Sequence, residues 1–176
     1  MSETTGVKHT NSMLEESTMK LTTTEQKIAS YIAKARYNKA RAKNIPNNKK
    51  GPQSNYETDL EGVASEMAAA KILNLWPDLQ IDTVPDHDLI LNNKTIDVKA
   101  TKYSSGRLIA GLNKNIKHCD YYMLMIGTFP EYRCAGVATK EELLNENTIT
   151  DLGWGKLHAL NQSALSDLES LKGEHF

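Results

Sequence analysis

A chain of 176 residues and 19.6 kDa has room for one ordinary domain and a short extension. Hydrophobic residues make up 39% and charged residues 24%, and no apolar run approaches the ~18–20 residues that a membrane helix requires. The net charge of −1 is unevenly placed: residues 20–51 hold nine Lys or Arg against Glu25 alone, and residues 141–176 hold seven acids against Lys156 and Lys172. A split of this kind predicts one side that faces a polyanion and one acidic, solvated side. Cys119 and Cys134 form no CxxC pair, which argues against a disulfide framework or a zinc ribbon and fits a reducing compartment. The first residues, MSETTGVKHTNSM, lack an apolar core, so the expected location is cytoplasmic, with no secretory signal and no membrane.

Residues 1–21 lack periodicity and are expected to be disordered or loosely packed. Thr22-x-x-Glu25 is a capping-box pattern and predicts a helix start. Ile28, Tyr31, Ile32 and Ala35 then form an apolar stripe, with Lys27, Lys34 and Arg41 at seven-residue spacing beside it and Arg36, Lys39 and Lys43 nearby. Pro46 and the run NNKKGPQSN end this segment, so residues 22–50 are read as a basic helical arm and linker. A second helix is expected over Thr58 to Leu75, kept thin by Ala64, Ala68, Ala69 and Ala70 so that another layer can approach closely. From Gln80 the period changes. Leu89-Ile90-Leu91 and Thr95 to Thr101 read as strands joined at Asn92-Asn93, Tyr121 to Ile126 as a buried strand, and Tyr132 to Ala138 as a fourth through Gly136. Thr139 is a cap for a short helix. The rest, with Trp154, Leu157, Leu160, Leu165 and Leu168, is expected to be a terminal helix or an irregular tail packed on the sheet.

The chemistry is concentrated in Pro85-Asp-His-Asp-Leu-Ile-Leu-Asn-Asn-Lys-Thr-Ile-Asp-Val-Lys99. A two-residue Asn92-Asn93 turn pairs Leu91 with Lys94, Ile90 with Thr95, Leu89 with Ile96 and Asp88 with Asp97. Opposed residues share a face with Cβ atoms ~4.5–5.5 Å apart, and Lys99, two residues beyond Asp97, lies on that face too. Leu89, Leu91, Ile96, Val98 and Ala100 form the other face, a core surface. Two opposed carboxylates repel, and a divalent cation between them turns the repulsion into coordination. The expected ligands of Mg²⁺, with Mn²⁺ as a substitute, are Asp88, Asp97 and the carbonyl oxygen of Val98. Lys99 would orient or deprotonate a metal-bound water, or stabilise the charge of a phosphoryl transition state.

An Asp ahead of an apolar strand, a short turn and then (Asp/Glu)-x-Lys resembles the core motif of the PD-(D/E)XK, or restriction-endonuclease-like, nuclease superfamily. Asp88, Asp97 and Lys99 match its first acid, second acid and lysine. The literal Pro-Asp pair is Pro85-Asp86, which keeps Asp86 as an alternative ligand. Gly62-Val-Ala-Ser-Glu66-Met-Ala-Ala resembles the context of the helix acid that many members carry, which makes Glu66 the catalytic and metal-site candidate and Glu61 its fallback. The resemblance covers about residues 58–145. It implies an α/β fold, a restriction-endonuclease-like core with a mixed central β-sheet of four or more strands flanked by helices, within a nuclease domain at 51–176.

The activity so implied is that of a metal-dependent DNA endonuclease of the small stand-alone kind found in phages and mobile elements. Lys102 and Lys117 are the auxiliary DNA-binding candidates near the cleft, with Lys114 beside them, and Lys34, Arg36 and Arg41 are those of the basic stripe. Cutting both strands, or resolving a branched junction, requires two sites and hence a homodimer or higher homo-oligomer. Three competing readings use the same residues: a junction-resolving enzyme, an inactive DNA-binding member, and an unrelated α/β domain in which Lys99 merely pairs with Asp88 or Asp97. An (Asp/Glu)-x-Lys triplet alone carries little, since roughly one arises by chance in a chain of this length. Glu25-Gln-Lys27 is such a second case, on the first predicted helix.

Overall fold

The computed structural model describes residues 18–43, 53–81, 87–112, 119–153 and 155–171. Asp86, Lys114, Lys117, His118 and Trp154, with the expected linker after Pro46 and residues 1–17, lie outside the described residues.

The first strand, β1 (Thr18–Lys20), falls inside the segment expected to be loose. It pairs antiparallel with β6 (Glu131–Thr139), and Leu21 behind it is 1% exposed, with its N–H donating to the Pro130 carbonyl at 3.0 Å. Burial of Leu21 and an edge-strand ladder therefore fix residues 18–21, against expectation. Helix α1 (Thr23–Ala42) begins where the sequence predicts, with Thr22 and Glu25 closing a reciprocal capping box. It buries Ala29, Ile32 and Ala33, whereas Tyr31 of the predicted stripe is 70% exposed. These small residues sit in one core cluster with Val63, Ala64 and Met67 of helix α2 (Asn55–Ile72), so α1 is part of the domain's core and not an arm standing off it. Helix α2 starts three residues ahead of the predicted Thr58, because Ser54-x-x-Glu57 makes a capping box of its own. Its alanine-rich face is buried throughout, as a helix between α1 and a sheet requires.

The hairpin of β2 (Leu89–Leu91) and β3 (Lys94–Thr101) has the predicted register, Leu89 to Ile96, Ile90 to Thr95 and Leu91 to Lys94. Asn92 and Asn93 hold φ of 50° and 61°, the two positive values that a primed two-residue turn demands and that Asn tolerates best among non-glycine residues. Strand β5 (Tyr121–Thr128) runs parallel to β3 and antiparallel to β6. The five-stranded sheet is therefore mixed, in the order β1-β6-β5-β3-β2. A register shift opposite Leu124/Met125 adjoins Gly136, whose φ is 134°. A Cβ there would come within 2.7 Å of the Leu165 side chain and 2.9 Å of the Ser166 carbonyl, so a larger residue would push the C-terminal segment off the sheet.

Thr139 caps α3 (Lys140–Leu143) as predicted. The C-terminal expectation does not hold. Strands β7 (Ile149–Asp151) and β8 (Lys156–Leu160) join β4 (Leu108–Gly111) in a second, antiparallel sheet ordered β4-β8-β7. Short 3-10 turns follow and end with Leu171 buried. The helices cover one face of the central sheet over Leu89, Ile96, Val98, Met123, Met125 and Val137. The second sheet and α3 form a separate cluster with Tyr122, Leu124, Ile126 and Ala138 of the other face. No helix among the described residues is long and apolar enough to cross a membrane.

Candidate active site

Asp97 lies in the middle of β3 and is 7% exposed. Its register partner on the parallel strand is Tyr122, whose hydroxyl is held in its neutral form chiefly by burial and further by the charges of Cys119 and Asp97. Two residues on, Lys99 points back along the same face, and its Nζ is ion-paired with Asp97 Oδ2. The alternation predicted for the strand holds from Leu89 to Lys99. It fails at Ala100, which is exposed and not part of the core surface.

Asp88 precedes β2 and joins it to β3 in two ways. Its backbone N–H donates to the Ile96 carbonyl at 2.9 Å, and its Oδ2 accepts the Val98 N–H at 2.6 Å. The carboxylate thus stands in for a strand carbonyl at the open end of the ladder. A charge-assisted bond this short fixes the side chain beside the Asp97-Val98-Lys99 backbone.

Glu66 approaches Asp88 from α2, on the helix-covered side of the sheet, whereas Asp97 and Lys99 share the face of their register partners Tyr122 and Leu124. The Glu66 carboxyl is driven up to about 8, first by burial and then by the Asp88 carboxylate, while Arg36 and Lys99 pull the other way. Glu66 therefore feels both ends of the hairpin motif. Arg36 Nη1 donates to Glu66 Oε2 at 3.1 Å, and the same guanidinium donates to the carbonyls of Gln80 (3.2 Å) and Asp78 (3.3 Å). The fallback Glu61 is engaged elsewhere: both its oxygens accept the Phe129 N–H at 3.1 Å, and Oε2 accepts the Tyr132 hydroxyl at 2.5 Å.

The basic stripe is redistributed. Lys34 is exposed, as a phosphate-contacting residue would be. Arg36 is turned inward onto Glu66, and Arg41 lies over the Tyr37 ring, 5.6 Å from its centroid, beside the Tyr37–Tyr56 edge-to-face pair. The charges of Arg41 and Arg36 also oppose the burial that raises the Asp59 carboxyl. Helix-face spacing could not foresee this, because both arginines find acids on α2. Lys102 follows the end of β3, exposed, with Nζ 5.5 Å from the Tyr103 ring centroid. His158 is buried with Nδ1 2.8 Å from Thr148 Oγ1 and 3.1 Å from the Asn145 carbonyl, a structural role in the second sheet.

An open groove of about 560 Å³ runs up to Asp88, lined by residues 75–80 on one side and His87 to Ile90 on the other. Arg36 was assigned to DNA by its charge alone; its role as the tie between α1, Glu66 and the groove wall had no sequence signal. Among the described residues no group of three or more His, Cys, Asp or Glu side chains is gathered closely enough to hold a metal ion. The donors present are nevertheless hard oxygens, from Asp88, Asp97, Glu66 and the Val98 carbonyl, the set that Mg²⁺ or Mn²⁺ prefers. Burial and the Asp88 carboxylate together hold the Glu66 carboxyl in its neutral form. No protein-family model matches this chain, and neither a curated protein nor a solved structure matches it.

Proposed function

We propose that the chain is a metal-dependent DNA endonuclease with a PD-(D/E)XK-type site made of Glu66, Asp88, Asp97 and Lys99. The observation that carries this is geometric: Asp97 and Lys99 are ion-paired on one face of β3, and the Asp88 carboxylate is held by the Val98 N–H that lies between them in the chain. Glu66 adds a carboxyl on α2 whose proton burial and the Asp88 carboxylate retain, an arrangement that folding alone does not favour. The register of the hairpin, set by Asn92-Asn93, adds that Asp97 and Lys99 share a face.

A divalent cation held by Asp88, Asp97 and the Val98 carbonyl would acidify a water and offset charge on the scissile phosphate. Asp88 supplies a carboxylate fixed by the Val98 N–H. Asp97 would contribute a second carboxylate, and Lys99, its ion-pair partner, would hold the attacking water or the phosphate oxygens. Glu66, once a bound cation draws off the proton that burial and Asp88 retain, would complete the ligand set or orient the attacking water. Lys34 and Lys102 are exposed cations available to the phosphate backbone.

One observation favours a second reading. Asp97 is ion-paired with Lys99 and Asp88 accepts a backbone N–H, so the charges are accommodated within the protein, as in an inactive DNA-binding domain. Wild type and Lys99→Ala, incubated with supercoiled plasmid, linear duplex, single strands and a four-way junction in Mg²⁺, Mn²⁺ or EDTA, separate the two. Cleavage by wild type that EDTA and the substitution both abolish is the expected result. Cutting of the junction alone would place the chain among resolving enzymes, which act as dimers. If no substrate is cut with either metal, the endonuclease assignment is wrong.

A further inference from the structure

Trp76 is 86% exposed and Ile90 53% exposed, and both line the groove that ends at Asp88. An indole offered almost whole to solvent forgoes a large hydrophobic gain, and among the described residues Trp76 joins neither apolar cluster. The wall that carries it is nonetheless held firmly. Arg36 donates to the Asp78 and Gln80 carbonyls, and the Gln80 N–H donates to Asp78 Oδ1 at 2.9 Å. The platform is thus preorganised by the same guanidinium that binds Glu66. Gln80 and His87 lie beside the apolar surfaces, and the volume of about 560 Å³ lies within the ~300–1,000 Å³ of small-ligand clefts.

We infer that this groove is a nucleobase subsite, in which an unpaired base stacks on Trp76 beside Ile90 while the strand it belongs to runs on toward the hairpin. Resting on the nuclease reading, the inference narrows the substrate class to DNA with single-stranded character at the cut: a flap, a fork, a junction or a single strand. Every base has a π-face, so such a platform selects for unpairedness and not for sequence. A base whose two faces are stacked inside a duplex has none to lay on Trp76.

The test uses the full chain with Trp154→Phe, which leaves Trp76 as the single tryptophan of the two. Oligothymidylate and a blunt duplex are titrated in EDTA, so that no cutting occurs. The expected result is quenching of Trp76 emission by the single strand and weaker quenching by the duplex. In wild-type background, Trp76→Ala should weaken single-strand binding by about tenfold or more, and Trp76→Phe by much less, as stacking predicts. Absence of quenching with unchanged affinity in Trp76→Ala would overturn the inference, as would sedimentation showing that Trp76 holds two copies of the chain together. Trp76-dependent binding by a wild type that cuts nothing would keep the subsite and reject the nuclease. Cutting by a Trp76→Ala protein that binds single strands like wild type would reject the subsite alone.

Discussion

Removing the Lys99 ammonium leaves the Asp97 carboxylate, 7% exposed, without the cation that pairs with it. In EDTA, Lys99→Ala should therefore cost about 1–3 kcal/mol in urea denaturation, the usual penalty when a buried acceptor loses its donor. Combining it with Asp97→Asn should cost less than the two single changes together, because one charge no longer needs the other. Equal and additive losses would show that the pair contributes nothing to the fold. Glu66 gives a pH signature of opposite origin. Its carboxyl titrates near 8 in the folded chain and near 4.5 when unfolded, so between those values the folded state keeps a proton that the unfolded chain has lost. Stability from this group is highest on the acid side of 4.5 and falls as the pH rises towards 8. Melting temperatures in EDTA should follow that decline in wild type and flatten in Glu66→Gln. Added Mg²⁺ should reverse the trend, since it binds the deprotonated carboxylate and its affinity rises with pH over the same interval. A wild type whose Mg²⁺-induced rise in melting temperature is the same at pH 5.5 and pH 8 would remove Glu66 from the metal site.

Helix α1 carries basic residues with two different fates, and substitution distinguishes them. Lys34 is exposed, so Lys34→Ala should leave stability unchanged and lower the slope of log affinity against log salt by about one if it contacts a phosphate. Arg36 ties α1 to Glu66 and to two carbonyls of the groove wall. Arg36→Ala should cost about 1–3 kcal/mol of stability and reduce kcat more than DNA affinity, with the salt slope unchanged. A reduced slope would return Arg36 to the phosphate backbone. Elements governed by local rules were legible in the sequence: the Thr22–Glu25 and Thr139 caps, and the Asn92-Asn93 turn with the three strand pairs next to it. Asp88, expected opposite Asp97, bonds the Ile96 and Val98 backbone instead. Sheet-face geometry then followed from a period of two, which is why the common face of Asp97 and Lys99 could be read from spacing. What was missed depends on partners far along the chain. Arg36 meets Glu66 thirty residues on, and three- to five-residue strands such as β7 and β8 have too few alternations to be told from an irregular tail. β1 was missed for the same reason, since only its pairing with β6 makes Thr18–Lys20 a strand.

The central sheet separates two apolar clusters, one under α1 and α2 and the other under the second sheet and α3. Glu66, Asp88 and the groove wall belong to the helix side and the β2 edge, whereas β4, β7 and β8 have no ladder to β2 or β3. A ligand that binds at Asp88 and Asp97 stabilises the folded state by its own binding free energy, and that gain appears first in the parts whose opening destroys the site. Hydrogen exchange with and without saturating Mg²⁺ should therefore show added protection in α2, β2 and β3, while amides of β4, β7 and β8 that open without disturbing the hairpin keep their rates. Added protection confined to the second sheet would mean that the cation binds among its acids, such as Asp151, and not at the hairpin. Uniform slowing in every element would mean that both halves open only together, in one cooperative step. In that case the central strands β3, β5 and β6, which both clusters share, would be what couples the acidic C-terminal side to the site.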